Sequence, residues 1–206
     1  MTAMTGEIKK GRKFDQVLEG AREVFMRDGF EGASVDDIAR AAGVSKATIY
    51  SYFPDKRLLF SEIAKLECNR QADEALDVID LDAPIGSVLR ETAGRMVRFF
   101  LSDFGQQVFR ICVAESHRFP DLGCRFYQSG PELLRARMIP ILRAYDERGV
   151  LDIADFDLAA NQFAELCKSD LFVRSLCGMG DTITQADIDR VITGAVDMFL
   201  ARYGTA

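Results

Sequence analysis

The sequence contains one histidine, His117, and no run of apolar residues longer than four. The first scarcity excludes His-Glu-x-x-His metal sites and any chemistry that needs two imidazoles. The second leaves nothing near the roughly 20 apolar residues that cross a bilayer, nor the apolar stretch of a secretory signal near the first residue. A cytoplasmic protein with no membrane partner is expected. The five cysteines (Cys68, Cys112, Cys124, Cys167, Cys177) are scattered and never spaced Cys-x-x-Cys, which excludes zinc ribbons and thioredoxin-type motifs and leaves reduced thiols. Alternating strand patterns and Asn-Gly or Asp-Gly hairpin turns are missing too. Gly178-Met179-Gly180 lacks the third glycine and preceding strand of a dinucleotide loop. Asp152, Asp155 and Asp157 lack the glycine and distal glutamate of a calcium loop and read as helix N-terminal acids. No metal or cofactor is implied.

What is present fits a soluble globular chain: 206 residues, 48% hydrophobic and 28% charged, long enough for one domain or two small ones. With 26 Lys+Arg against 32 Asp+Glu the formal charge is -6, on its face unfavourable for a nucleic-acid binder. The charge is unevenly placed, however. Residues 1–60 hold 10 basic and 9 acidic groups, net +1, while 61–206 hold 16 and 23, net -7. Lys9, Lys10, Arg12 and Lys13 form a basic arm ahead of the first apolar pattern, suited to DNA backbone or minor groove.

The periodicity is helical throughout. Phe14, Val17, Leu18, Ala21, Val24 and Phe25 repeat at helical spacing, and Gly29 is expected to close that helix with Phe30 behind it. Ser34 is an N-cap with Asp37 as capping-box partner, opening a short helix of Val35, Ile38, Ala39 and Ala42. Gly43 forces a turn, Ser45 caps a second short helix to Phe53, and Pro54-Asp55 ends it and starts a third. Further helices are expected over 56–80, 84–103, 105–117, 121–148 with a break at Gly130-Pro131, 156–177 and 185–203.

Short helix, glycine turn, short helix is the helix-turn-helix arrangement, whose second helix can enter the DNA major groove. A helical wheel turns Val44, Ile49 and Phe53 inward and leaves Lys46, Ala47, Thr48, Tyr50 and Ser51 toward solvent. Lys46 suits a base edge or phosphate, Ala47 permits close approach, and Thr48 and Tyr50 offer hydroxyls. Lys56, opening the next helix, adds a charge for another phosphate. The competing reading is a plain helical hairpin with Tyr50 and Tyr52 as core or rim aromatics.

The runs Gly29-Phe30-Glu31-Gly32-Ala33-Ser34-Val35-Asp36-Asp37-Ile38-Ala39 and Ala42-Gly43-Val44-Ser45-Lys46-Ala47-Thr48-Ile49-Tyr50-Ser51-Tyr52-Phe53-Pro54-Asp55-Lys56 resemble the TetR family of bacterial transcriptional regulators. Glu115-Ser116-His117-Arg118-Phe119-Pro120, with Phe126-Tyr127 and Gly130-Pro131, is similar to its AefR-like subgroup. The resemblance implies an all-α protein: a three-helix helix-turn-helix DNA-binding domain (1–56, with the basic arm) and a larger helical ligand-binding and dimerisation domain (57–206). It implies that Lys46, Ala47, Thr48 and Tyr50, at the helix opened by Ser45, read double-stranded DNA, with Ser34, Tyr52 and Lys56 on phosphates. Ser51 stands where the family often has a ring.

The apolar arc of 156–177 is too wide for one burial surface. Together with 185–203, capped by Thr184 and Asp187, it is expected to form a homodimer interface matching a pseudo-palindromic operator. The remaining aromatics suggest a site for a small apolar or aromatic effector, with Phe100, Phe104, Phe109, Cys112, His117, Tyr127, Phe163 and Cys167 as candidate lining, although a plain core needs such residues as well. The function expected is a ligand-responsive repressor, not an enzyme. Two alternatives stay open: a helical enzyme, such as a hydrolase using His117 or Cys112, and a helix-turn-helix adaptor that binds proteins and uses no small effector.

Overall fold

In the computed structural model, which describes residues 11–76 and 80–205, Phe14, Val17, Ala21, Val24 and Phe25 turn inward along α1 (Arg12–Gly32). The expected closure at Gly29 is a kink instead. The backbone passes through φ 68°, ψ -179° there and makes one more turn with Phe30 buried. That conformation is essentially restricted to glycine, and a Cβ on Gly29 would lie 2.8 Å from Nε2 of Gln107. Of the expected basic arm, Lys9 and Lys10 lie outside the described residues, while Arg12 and Lys13 open α1 exposed.

The next two helices start at their sequence caps. Ser34 Oγ accepts the Asp37 N–H at 3.0 Å to open α2 (Val35–Ala42), and Ser45 Oγ accepts the Thr48 N–H at 3.1 Å to open α3 (Lys46–Tyr52). Between them Gly43 adopts φ 62° and closes α2, as its lack of a side chain allows. The capping box expected at Ser34 is only half made: the Asp37 carboxylate takes the Ser34 hydroxyl and the Arg40 guanidinium rather than the Ser34 N–H. The complete box is at Thr184, where both reciprocal bonds to Asp187 are formed.

Two apolar cores organise the chain. The first unites Phe14, Val17, Phe25, Ile38, Ile49 and Phe53 with Leu59, Phe60 and Ile63 of α4 (Lys56–Leu76). It also takes in Val108 and Cys112 of α6 (Asp103–Ala114) and Leu122 of α7 (Pro120–Tyr127). The N-terminal core therefore does not stop at residue 56: α4 is shared, and two later helices cap it. The second core is built by α5 (Ile85–Leu101), α8 (Leu133–Asp146), α9 (Phe156–Leu166) and α11 (Gln185–Tyr203) around Leu89, Leu142, Phe163, Val196 and Phe199.

Two long segments differ from expectation. At Gly130-Pro131 the chain does not break: a π-turn over Gln128–Glu132 carries α7 into α8, absorbing the proline's missing N–H and its ring. The 156–177 segment, expected as one helix, is two, α9 and α10 (Leu171–Leu176), separated at Asp170 with φ 61°. The wide apolar arc explains the bend. A single straight helix faces one core, whereas the bent segment buries Phe163 in the second core and turns Phe172 onto Phe109 of α6, ring centroids 5.0 Å apart. Near the C-terminus Asp152 N–H donates to Tyr203 O at 2.8 Å, pinning the end of α11 to the α8–α9 connection. Among the described residues, no helix is long and apolar enough to cross a membrane.

Candidate nucleic-acid interface

The α3 surface divides as helical geometry requires. Ile49 and, just past the helix, Phe53 are buried, while Lys46, Ala47, Tyr50 and Ser51 are exposed, Tyr50 to 49%. Thr48, expected toward solvent, is half-buried, and its hydroxyl shares a hydrogen bond with Ser45 Oγ at 2.9 Å. Ser51 Oγ donates back to Thr48 O at 2.7 Å. Lys46 Nζ lies 2.6 Å from Asp36 Oδ1 of α2, and that carboxylate raises the lysine pKa by hydrogen bonding and charge.

The flanking candidates are placed differently. Ser34 spends its hydroxyl on Asp37. Tyr52 is half-buried, its ring edge-on to Phe14 at 5.4 Å, and stacking of Phe53 on Phe14 completes that joint. Lys56 turns inward: its ammonium donates to Phe30 O at 2.8 Å and Ala33 O at 3.0 Å and sits 4.2 Å over the Phe30 ring. An expected phosphate ligand is thus occupied in closing the α1–α2 junction, because the kink at Gly29 leaves carbonyls there without helical partners.

Two residues that sequence reading did not select complete the surface. A groove of about 390 Å³ between α1 and the α2–α3 turn is lined by Lys13, Gln16, Arg40, Gly43, Val44, Ser45 and Thr48. Gln16 lies one turn beyond Lys13 on the same face of α1, a spacing available in the sequence. Arg40 lies in the last turn of α2, outside the recognition helix.

The expected effector residues do not converge. Phe104 and Cys112 belong to the N-terminal core, Phe104 meeting Phe60 at 6.0 Å. Phe163 and Cys167 are buried in the other core, Phe163 against Phe199 at 5.2 Å. His117 and Tyr127 are exposed, because the turn after α6 and the last turn of α7 face outward. Phe100 and Phe109 meet through Phe172, which lies 6.0 Å from one and 5.0 Å from the other, and Phe100 also packs against the second core that holds Phe163 and Cys167. Phe126 joins at 5.8 Å from Phe109. These rings, all half-buried, form a seam between α5, α6, α7 and α10. A separate cleft of about 260 Å³ beside α6 is polar, lined by Asp103, Gln106, Gln107 and Arg110 with Ser175, Gly180 and Asp181. Burial pushes the thiols of Cys112 and Cys167 up to about 12, so both stay protonated.

The features that suggested other chemistry have structural partners. Glu115 pairs with Arg57 at 3.3 Å and Ser116 Oγ donates to Val113 O, so neither turns to His117 as a hydrolase would need. Asp155 caps α9 through the Leu158 N–H at 2.9 Å, and Asp157 pairs with Arg135 at 3.1 Å.

Polar joints tie α1, α4 and the α6 segment together. Gln107 Oε1 accepts the Phe30 N–H at 2.9 Å, Glu115 holds Arg57, and the buried Glu67 carboxylate of α4 takes Arg22 Nε of α1 at 3.2 Å. Arg110 of α6 also donates to Leu176 O at 2.9 Å, at the end of α10. The arrangement is a helix-turn-helix joined by these contacts to a helical body. Residues 17–63 match the model described as bacterial regulatory proteins of the tetR family, and residues 87–205, more than half of the chain, match the AefR-like transcriptional repressor C-terminal domain. The chain belongs to the TetR family of bacterial transcriptional regulators and is a DNA-binding regulator, not an enzyme.

Its relatives agree over different spans. It is 27% identical over 183 residues to the HTH-type transcriptional repressor AcnR of Corynebacterium glutamicum, covering 87% of this chain and 82% of that one. To AcnR of Corynebacterium efficiens it is 37% identical over 73 residues, only 35% of this chain and 38% of the relative. Among solved structures, a TetR-family regulator from Mesorhizobium loti superposes with TM-score 0.82 at 26% identity, covering 97% of this chain and 100% of the other. The flavonoid-responsive regulator FrrA superposes with TM-score 0.72 at 36% identity, covering 95% and 98%.

Proposed function

We propose that this protein is a repressor that docks α3 in successive major grooves of a pseudo-palindromic operator as a homodimer and releases it when a planar aromatic effector binds the body. The observation that carries the DNA reading is the exposed stripe of Lys46, Ala47 and Tyr50 mounted over buried Ile49. Lys13, Gln16 and Arg40 beside it supply backbone contacts that set the register.

A single helix-turn-helix offers too few contacts for specific affinity, so two are needed. The dimer surface we assign is the outer face of α9 and α11. Leu158 and Met198, 50% and 62% exposed, stand there with no apolar cover, and space is open above the Gly194 Cα. A two-fold axis along these helices presents the two heads as a pair.

The effector class follows from two supports: the seam of Phe100, Phe109, Phe126 and Phe172, and the flavonoid response named for FrrA. A ligand that parts these rings displaces α6 and α10. Because α6 holds Phe30 and Arg57, that displacement is passed to the head. The ligand acts only through its preference for the released arrangement.

The test is fluorescence anisotropy of the purified protein on DNA flanking its own gene, with and without a flavonoid panel. Specific binding that at least one flavonoid weakens tenfold or more supports the proposal. Binding that no planar aromatic alters leaves a regulator of another effector class, and no specific binding either to the flanking DNA or to sites selected from random duplexes overturns the operator reading.

A further inference from the structure

A carboxylate and an ammonium from different helices meet on the reading face. Asp36 is the second residue of α2 and Lys46 the first of α3, with Oδ1 and Nζ 2.6 Å apart and side chains 61% and 53% exposed. Exposed pairs of this kind contribute little to stability. Neither residue caps a helix, since Ser34 and Ser45 do that work. An acid placed beside the recognition helix also opposes phosphate, which lowers affinity for DNA of any sequence.

What the pair offers is a donor set beside an acceptor. In the major groove a G·C pair presents two adjacent acceptors, guanine N7 and O6, and then one donor, cytosine N4. An A·T pair interleaves acceptor, donor and acceptor, so an ammonium seated on adenine N7 would face the N6 amine next to it. We propose that Asp36 and Lys46 act as one specificity-determining unit that reads a G·C pair in each operator half-site. Lys46 Nζ donates to guanine, Asp36 accepts from cytosine N4–H, and their bridge holds the lysine away from phosphate. The partner of Lys46 lies ten positions earlier, across the turn that Gly43 makes.

This inference rests on α3 being the recognition helix, and the experiment separates the two. Operator sites are selected from random duplex DNA with the full-length protein. Affinities of wild type, Asp36→Ala, Lys46→Ala and Tyr50→Ala are then measured on the selected site and on versions with each G·C pair changed to A·T. Wild type is expected to discriminate at one such pair per half-site by roughly five- to 150-fold. Asp36→Ala should lose most of that discrimination while keeping it elsewhere. Its binding to random DNA should tighten, with a log-log salt slope steeper by about 0.9 for each lysine freed to a phosphate. Both side chains are exposed, so the variants should melt as wild type does. Full discrimination at every position in Asp36→Ala, or a selected site with no G·C-restricted position, overturns the inference. Unimpaired binding by Tyr50→Ala overturns the recognition-helix reading instead.

Discussion

The backbone N–H of Phe30 donates to Oε1 of Gln107 at 2.9 Å, joining residues 77 positions apart. One end of the bond is the kink in the reading head, the other the middle of α6. Glu115, just past the same helix, pairs with Arg57 of α4, and Arg110 donates to Leu176 O at the end of α10, so this one segment joins α1, α4 and α10.

Gln107→Ala removes the acceptor and leaves a partly buried N–H unpaired. A loss of about 1–3 kcal/mol is expected, which for a chain of this size lowers the melting midpoint by about 2–4 °C per kcal/mol. The effector's influence on DNA affinity should shrink with it. Calorimetry and anisotropy on the same preparation check both, and an unchanged midpoint with an unchanged response would show that the joint carries nothing.

Gly29→Ala should be at least as damaging, by about 1–3 kcal/mol, because φ 68° with ψ -179° strains any residue with a Cβ. The new methyl also meets Gln107 Nε2. The double variant with Gln107→Ala should lose less than the two single losses added, since one mutation relieves the clash that the other creates. Denaturant unfolding of the four proteins measures this, and strict additivity would contradict it.

Lys56→Met tests whether that lysine serves structure or phosphate. Its ammonium bonds two carbonyls, so the variant should melt lower in the absence of DNA, by an amount corresponding to about 1–3 kcal/mol. The salt slope of operator binding should stay as in wild type. A slope shallower by about 0.9 per lysine with no change in melting would return Lys56 to the phosphates.

Operator binding itself should fall steeply with salt, with a log-log slope of about -5 to -9 for some 6–10 phosphate contacts. Tyr50→Ala should abolish specific binding while sedimentation shows an intact dimer. A flat salt response would be incompatible with backbone-anchored recognition.

Of the five thiols, two should react quickly with an aromatic disulfide reagent at pH 8, the exposed Cys124 and Cys177. Cys112 and Cys167, buried in the two cores and pushed up to about 12, should react only on unfolding, and half-buried Cys68, pushed up likewise, more slowly than the exposed pair. Fast labelling of Cys112 or Cys167, located by peptide mapping, would mean that its core opens.

The reading head was legible because its information is local. Ser34, Gly43, Ser45 and Pro54 each act within a few residues, through a cap, a left-handed turn or a missing N–H, and the helix bounds follow. The effector residues were not legible for the opposite reason. Phe104 and Phe163 have the same chemistry and the same helical spacing, yet one packs on Phe60 and the other on Phe199. Periodicity says that a ring turns inward; it does not say toward which neighbour. Which way the turn carrying His117 faces is likewise set by how α6 and α7 pack, not by the residues around it.

By itself, the sequence determined the all-helical class, the helix-turn-helix, the buried Ile49 and the exposed Lys46, Ala47 and Tyr50 of α3, and the family, since all of these depend on spacing along the chain. Only the tertiary structure decided that Lys56 turns inward, that Asp36 holds Lys46, that 156–177 bends at Asp170 and that the N-terminal core extends into α6 and α7. Each of those is a meeting of side chains or helices distant in sequence. Such a meeting is set by how the two cores share their apolar surface, and no local pattern records it.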